Sequence, residues 1–93
     1  VCFGYPLHPP AKPGQVGVAH LPSITTPMLV IQGERDTFGT PDELRPHLEA
    51  MTAEVHLHVI PRGDHSLTVR GRSTSETYAE LAGIAAAFIA PTA

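Results

Sequence analysis

Two short polar runs carry the residues best suited to chemistry: Gly33-Glu34-Arg35-Asp36-Thr37-Phe38-Gly39-Thr40 and Gly63-Asp64-His65-Ser66, each directly behind an apolar, strand-like stretch. In open parallel sheets, sites form outside the carboxyl ends of the strands, so polar loops that follow strands are where reactive groups collect. Neighbouring strands lie about 4.8 Å apart, which would bring Asp36 and His65 to one sheet edge. A buried carboxylate there accepts the Nδ1 proton of the imidazole, fixes its tautomer and leaves Nε2 free as a general base. Each residue alone has a plainer reading: Asp36 as a turn residue bonded to its own backbone, His65 as a surface turn histidine. The pairing of the loops favours the chemical reading, with Asp64 as second choice for the acid.

Other residues offer weaker chemistry. His56 and His58 share a strand face and could bind a metal with help from His47, but no Cys or carboxylate stands at a matching ligand spacing. A solvated or helix-covered strand face is the better reading, and neither a metal nor a cofactor is expected. Cys2 lies within an apolar segment rather than a sharp strand-to-helix turn, which fits a packed structural cysteine better than a nucleophile.

The elements that must position these groups follow from pattern. Met28-Leu29-Val30-Ile31 is a continuous apolar run ending at Gln32-Gly33, the signature of a strand buried on both faces. Thr40-Pro41-Asp42-Glu43 predicts a helix start, with Thr40 as N-cap, Pro41 at the first helical position, Glu43 completing a capping box, and the helix reaching about Met51. Glu54 to Pro61 alternates, setting Val55, Leu57 and Val59 on one face and His56, His58 and Ile60 on the other. Pro61-Arg62-Gly63-Asp64 closes that strand. Ser73-Thr74-Ser75-Glu76 can cap a last helix in which Tyr78, Leu81, Ala82, Ala85, Phe88 and Ile89 recur at helical spacing, with Pro91 ending it. Val1 to Gly4 reads as a short first strand. Prolines 6, 9, 10 and 13 make the next stretch a rigid loop lining the cleft, and His20-Leu21-Pro22-Ser23-Ile24 a turn that packs Leu21 and Ile24 inward.

This order predicts an α/β fold of three parallel strands and two helices, with right-handed crossovers and the first strand as an apolar edge. Such a sheet is normally covered on both faces, and the chain opens Val1-Cys2-Phe3 without a leader. We therefore expect residues 1–93 to be the C-terminal portion of a larger domain, marginal or self-associating alone. Its formal charge is −3 with scattered Lys and Arg, which offers no footprint for nucleic acid. A single cysteine and no apolar run near the roughly 20 residues a bilayer span needs predict a cytoplasmic protein without membrane contact.

With Gly33-Glu34-Arg35-Asp36 behind one strand and Gly63-Asp64-His65-Ser66 behind a later one, the chain resembles the acid and histidine loops of α/β-hydrolases. Gly4-Tyr5-Pro6-Leu7-His8-Pro9-Pro10, His20-Leu21-Pro22 and Gln32 to Thr40 are similar to the dienelactone-hydrolase-like subgroup, which includes a subunit of the non-specific lethal chromatin complex. The likeness spans positions 4 to 66. It implies Asp36 and His65 as two members of a Ser-His-Asp triad acting on a small-molecule ester or similar acyl substrate. Val1 to Gly4 would be the sixth strand of that fold, and the two later strands its seventh and eighth. The fold's Gly-x-Ser-x-Gly nucleophile turn does not occur in these 93 residues, so the missing N-terminal part of the domain would supply the serine, and the 93 residues alone should be inactive. The alternative is a non-catalytic scaffold or interaction module.

Overall fold

The computed structural model describes residues 1–10, 17 and 21–89. Lys12, Pro13 and Gly14 of the proline loop, His20 and Pro91 lie outside the described residues. Strand β1 is Cys2–Phe3, β2 is Met28–Gly33 and β3 is Val55–Ile60; a 3-10 turn covers Leu21–Ser23. Helix α1 is Pro41–Glu49 and α2 is Thr74–Ile89. The strands form one parallel sheet in the order β1-β2-β3, so the α/β arrangement expected from the pattern is present. β1 stands at an edge, where Val1 and Phe3 remain about half exposed.

β2 is the centre because its side chains are apolar on both faces. Val30 joins a cluster with Tyr5, Leu7, Leu21, Leu44, Leu48 and Met51 beneath α1. Leu29 and Ile31 point the other way, into a cluster with Ile60, Leu67, Val69 and Leu81 beneath α2. The two helices thus cover opposite faces, as parallel sheets require to bury both sides. His56 follows the α2 side and meets Phe88 edge-on, with ring centroids 5.9 Å apart.

The capping box at α1 forms as the sequence predicts: Glu43 N–H donates to Thr40 Oγ1 at 3.3 Å and Thr40 N–H to Glu43 Oε1 at 3.1 Å. The helix closes at Glu49 rather than Met51. Ala50 N–H already turns back to the Leu48 and Pro46 carbonyls there, and Met51 leaves the helix to enter the core. Pro46 sits inside this helix, where it removes one i−4 hydrogen bond.

α2 corrects the expected inward face. Tyr78 and Ile89 are 51% and 69% exposed, whereas Thr77 is buried and Leu81, Ile84 and Phe88 pack on the sheet. Thr77 is accepted inside because its hydroxyl donates to the Ser73 carbonyl at 3.3 Å, which offsets the cost of burying it. Ser73 caps this helix by accepting the Glu76 N–H at 3.1 Å. Among the described residues, no helix is long and apolar enough to cross a membrane.

Candidate active site

β2 and β3 pair in register from Met28 opposite Val55 to Gly33 opposite Ile60, so the two polar loops leave the sheet side by side. The join is close-packed at Gly33: a Cβ there would overlap the carbonyl groups of Gly63 and Asp64. That approach lets Arg35 N–H donate to the Gly63 carbonyl at 2.8 Å and Glu34 N–H to the Ile60 carbonyl at 3.0 Å. The loops are stitched together by backbone before any side chain contributes.

Within this frame, His65 Nδ1 lies 2.8 Å from Asp36 Oδ2. The Asp36 side chain is fully buried and the His65 side chain is 34% exposed. A carboxylate can only accept, so Nδ1 carries the proton. Nε2 has no hydrogen-bond partner among the described residues. The other carboxylate oxygen, Oδ1, accepts the Phe38 N–H at 2.8 Å. The Phe38 ring packs against the imidazole at a centroid distance of 4.2 Å and a tilt of 33°. Gly4 also approaches it, where a Cβ would stand 3.3 Å from His65 Nδ1.

Asp64, the second choice for the acid, is turned elsewhere. Its oxygens accept the Thr68 N–H at 3.0 Å and the Thr68 hydroxyl at 2.8 Å, which hold its carboxyl below the usual range. It braces the loop behind His65, in which Leu67 takes a left-handed φ of 63° with its side chain in the core. His56 lies 3.2 Å from Glu54, and no group of three or more His, Cys, Asp or Glu side chains among the described residues is placed to hold a metal ion. Cys2 is partly buried against the α1-side cluster, and that burial pushes its thiol up.

Two polar residues that the sequence reading passed over brace the acid loop. Gln32, wholly buried at the end of β2, hydrogen-bonds the backbone of Tyr5 and Gly39 and the side chain of Asp36. His8, also buried, has Nδ1 2.8 Å from the Pro9 carbonyl and Nε2 2.8 Å from Glu43 Oε2, while its N–H donates to the Phe38 carbonyl. The partners that tie them across the fold, Tyr5 for Gln32 and Glu43 for His8, stand 27 and 35 residues away in the chain, so no local spacing announces them. The one available signal is chemical: an amide at the end of an apolar strand needs partners, and the protein supplies them.

Both ring nitrogens of His8 face acceptors, which is the arrangement of an imidazolium. The Pro9 carbonyl first, then Glu43, raise its pKa above the ordinary 6.5, and the Thr40 N–H first, then His8, lower Glu43 from its ordinary 4.5. A raised histidine stabilises the fold fully below 6.5, and that contribution disappears as pH rises through its folded value. A lowered carboxylate stabilises it fully above 4.5, and that contribution disappears as pH falls through its folded value. The pair therefore contributes most between those limits. In His8→Gln, thermal unfolding followed across pH should lose the decline expected of the unmodified protein on the alkaline side of 6.5; an identical decline in both would remove His8 as its cause.

An open parallel sheet with a carboxylate and a histidine on adjacent strand-end loops is an arrangement that α/β-hydrolases present. The chain belongs to that family: the model of the alpha/beta hydrolase domain matches residues 1–92. The three parallel strands and two helices are a part of that fold. No solved structure matches the chain.

Proposed function

We propose that the protein carrying residues 1–93 hydrolyses esters or similar acyl bonds by a Ser-His-Asp mechanism, with Asp36 and His65 from this chain. The observation that supports it most is the 2.8 Å contact between a buried Asp36 carboxylate and His65 Nδ1, with Nε2 unpartnered and the imidazole part-exposed. His65 Nε2 takes the hydroxyl proton of a serine supplied by sequence outside these residues as the serine oxygen bonds to the acyl carbon. Asp36 stabilises the resulting imidazolium, which returns the proton to the departing alkoxide. In the second half, water replaces the serine by the same proton path. Oxyanion donors also come from outside the 93 residues, so this chain alone is inactive.

The runs Gly4–Pro10 and Gln32–Thr40 support the dienelactone-hydrolase-like subgroup within the family. The substrate is a small acyl compound, and the lone Cys2 suits the cytoplasm. The test is Asp36→Asn in the complete protein with p-nitrophenyl acetate. We expect kcat to fall about 10⁴-fold, because the Phe38 N–H keeps the amide oxygen on its own side and leaves the amide NH2 facing Nδ1, which favours the wrong tautomer. Unchanged hydrolysis would remove Asp36 from the mechanism and leave a scaffold with a hydrolase fold.

A further inference from the structure

Gln32 is an amide at 0% exposure in a strand whose other residues are apolar or Gly33. Burying an amide is costly unless its groups are paired, and here they are. Oε1 accepts the Tyr5 N–H at 2.7 Å. Nε2 faces three acceptors: the Gly39 carbonyl at 2.7 Å, the Tyr5 carbonyl at 3.0 Å and Asp36 Oδ2 at 3.2 Å. The orientation of the amide is decided by these neighbours. Turned over, its oxygen would face three acceptors and its nitrogen would face an N–H.

We infer that Gln32 is a positioning residue for the Asp36–His65 pair, fixing the direction in which Asp36 Oδ2 receives the His65 Nδ1 proton. The Asp36 carboxylate has one soft torsion to settle, and it is pinned at both oxygens. Oδ1 is held by Phe38 N–H from its own loop, and Oδ2 is met by Gln32 from the strand as well as by His65. The same amide ties the chain leaving β1, at Tyr5, to the end of the acid loop, at Gly39. The loop that bears Asp36 therefore cannot drift relative to Gly4, against which His65 rests. The effect on turnover rests on the hydrolase reading; the effect on the imidazole does not.

A purely architectural glutamine would change how much protein folds and leave each folded site unchanged. Gln32→Met keeps the length of the side chain and removes both amide groups; Gln32→Glu keeps the Tyr5 contact and sets a carboxyl beside Asp36 that burial and the neighbouring carboxylate keep protonated, with one O–H where Gln32 has two N–H donors. Both are made in the complete protein and read in two ways: p-nitrophenyl acetate hydrolysis across pH, and the His65 tautomer by ¹⁵N–¹H NMR. In Gln32→Met we expect kcat to fall about tenfold with KM within about twofold, since the interaction lost acts on the base and not on substrate binding. We also expect part of His65 to carry its proton on Nε2, which the unmodified protein should not show. In Gln32→Glu a single O–H is left for three acceptors, so kcat should fall by about threefold and part of His65 should carry its proton on Nε2. A folded Gln32→Met with unchanged kcat and only the Nδ1–H tautomer would overturn the inference. If Gln32→Met does not fold, an unchanged kcat and only the Nδ1–H tautomer in Gln32→Glu would do so. Should the unmodified protein hydrolyse the ester no faster than its His65→Ala variant, the hydrolase reading fails and the tautomer measurement still decides the role of Gln32.

Discussion

Replacement of His65 by Ala in the complete protein is expected to lower kcat for p-nitrophenyl acetate by about 10⁵-fold, close to what removing the whole triad would do. In the proposed mechanism the triad acts as a unit. Without the imidazole, the serine has no base and the leaving group no acid, and the Asp36 carboxylate is left buried with nothing to orient. KM should move little, because His65 offers the substrate a proton path and not a binding surface. Asp64→Asn is the matched control one residue away. Asp64 faces Thr68 and not the imidazole, so its loss should reduce stability through the loop and leave kcat within about threefold. Steady-state kinetics on folded protein, with concentration set by circular dichroism and intact mass, measures both. A His65→Ala variant with the kcat of the unmodified protein would exclude His65 as the base.

The second large effect falls on Gly4. Its φ of 72° is left-handed, and a Cβ there would come 2.7 Å from the His65 carbonyl oxygen as well as against the imidazole. Gly4→Ala should therefore carry two costs, the strain of the backbone and the displacement of a backbone oxygen, together about 2–3 kcal/mol. Gly71→Ala separates them. Gly71 has a similar φ of 84° with nothing within 4 Å of its added Cβ, so its variant carries the strain alone, about 1 kcal/mol. Urea unfolding of both gives the cost of the contact by difference. Gly4→Ala should also depress kcat by pushing His65 off its contact with Asp36, whereas Gly71→Ala should not. Equal losses of stability in the two variants would mean that the close approach of β1 to the histidine loop is not tight.

Much of this architecture was legible because the signals were local. The unbroken run Met28-Leu29-Val30-Ile31 could only be a strand with two apolar faces, and β2 is indeed the central strand, with a cluster on either side. The Thr40 to Glu43 capping box is a four-residue pattern and forms as written. The candidate pair was legible in part: Asp36 and His65 stand in loops that follow strands, and parallel pairing of β2 with β3 brings them to 2.8 Å.

What escaped was non-local or depended on a single hydrogen bond. Gln32 looked like the polar end of a strand, since its partners at Tyr5 are backbone atoms 27 residues earlier. His8 and Glu43 are 35 residues apart, and Glu43 was already accounted for by the cap. On α2, Leu81 and Phe88 pack inward at the expected spacing, but Tyr78 and Ile89 are exposed and Thr77 is buried, since apolarity alone does not show that the Thr77 hydroxyl finds a partner in the Ser73 carbonyl. Glycine presents the same difficulty, for the need for Gly4 lies in His65, far along the chain.

The most direct measurement is labelling of the complete protein with a fluorophosphonate, which bonds only to a serine whose hydroxyl proton can be taken by an adjacent base. The account predicts stoichiometric labelling at one serine outside residues 1–93, slowed at least about 10³-fold in His65→Ala. Labelling at equal rates in both proteins, or none in the unmodified protein, would contradict it.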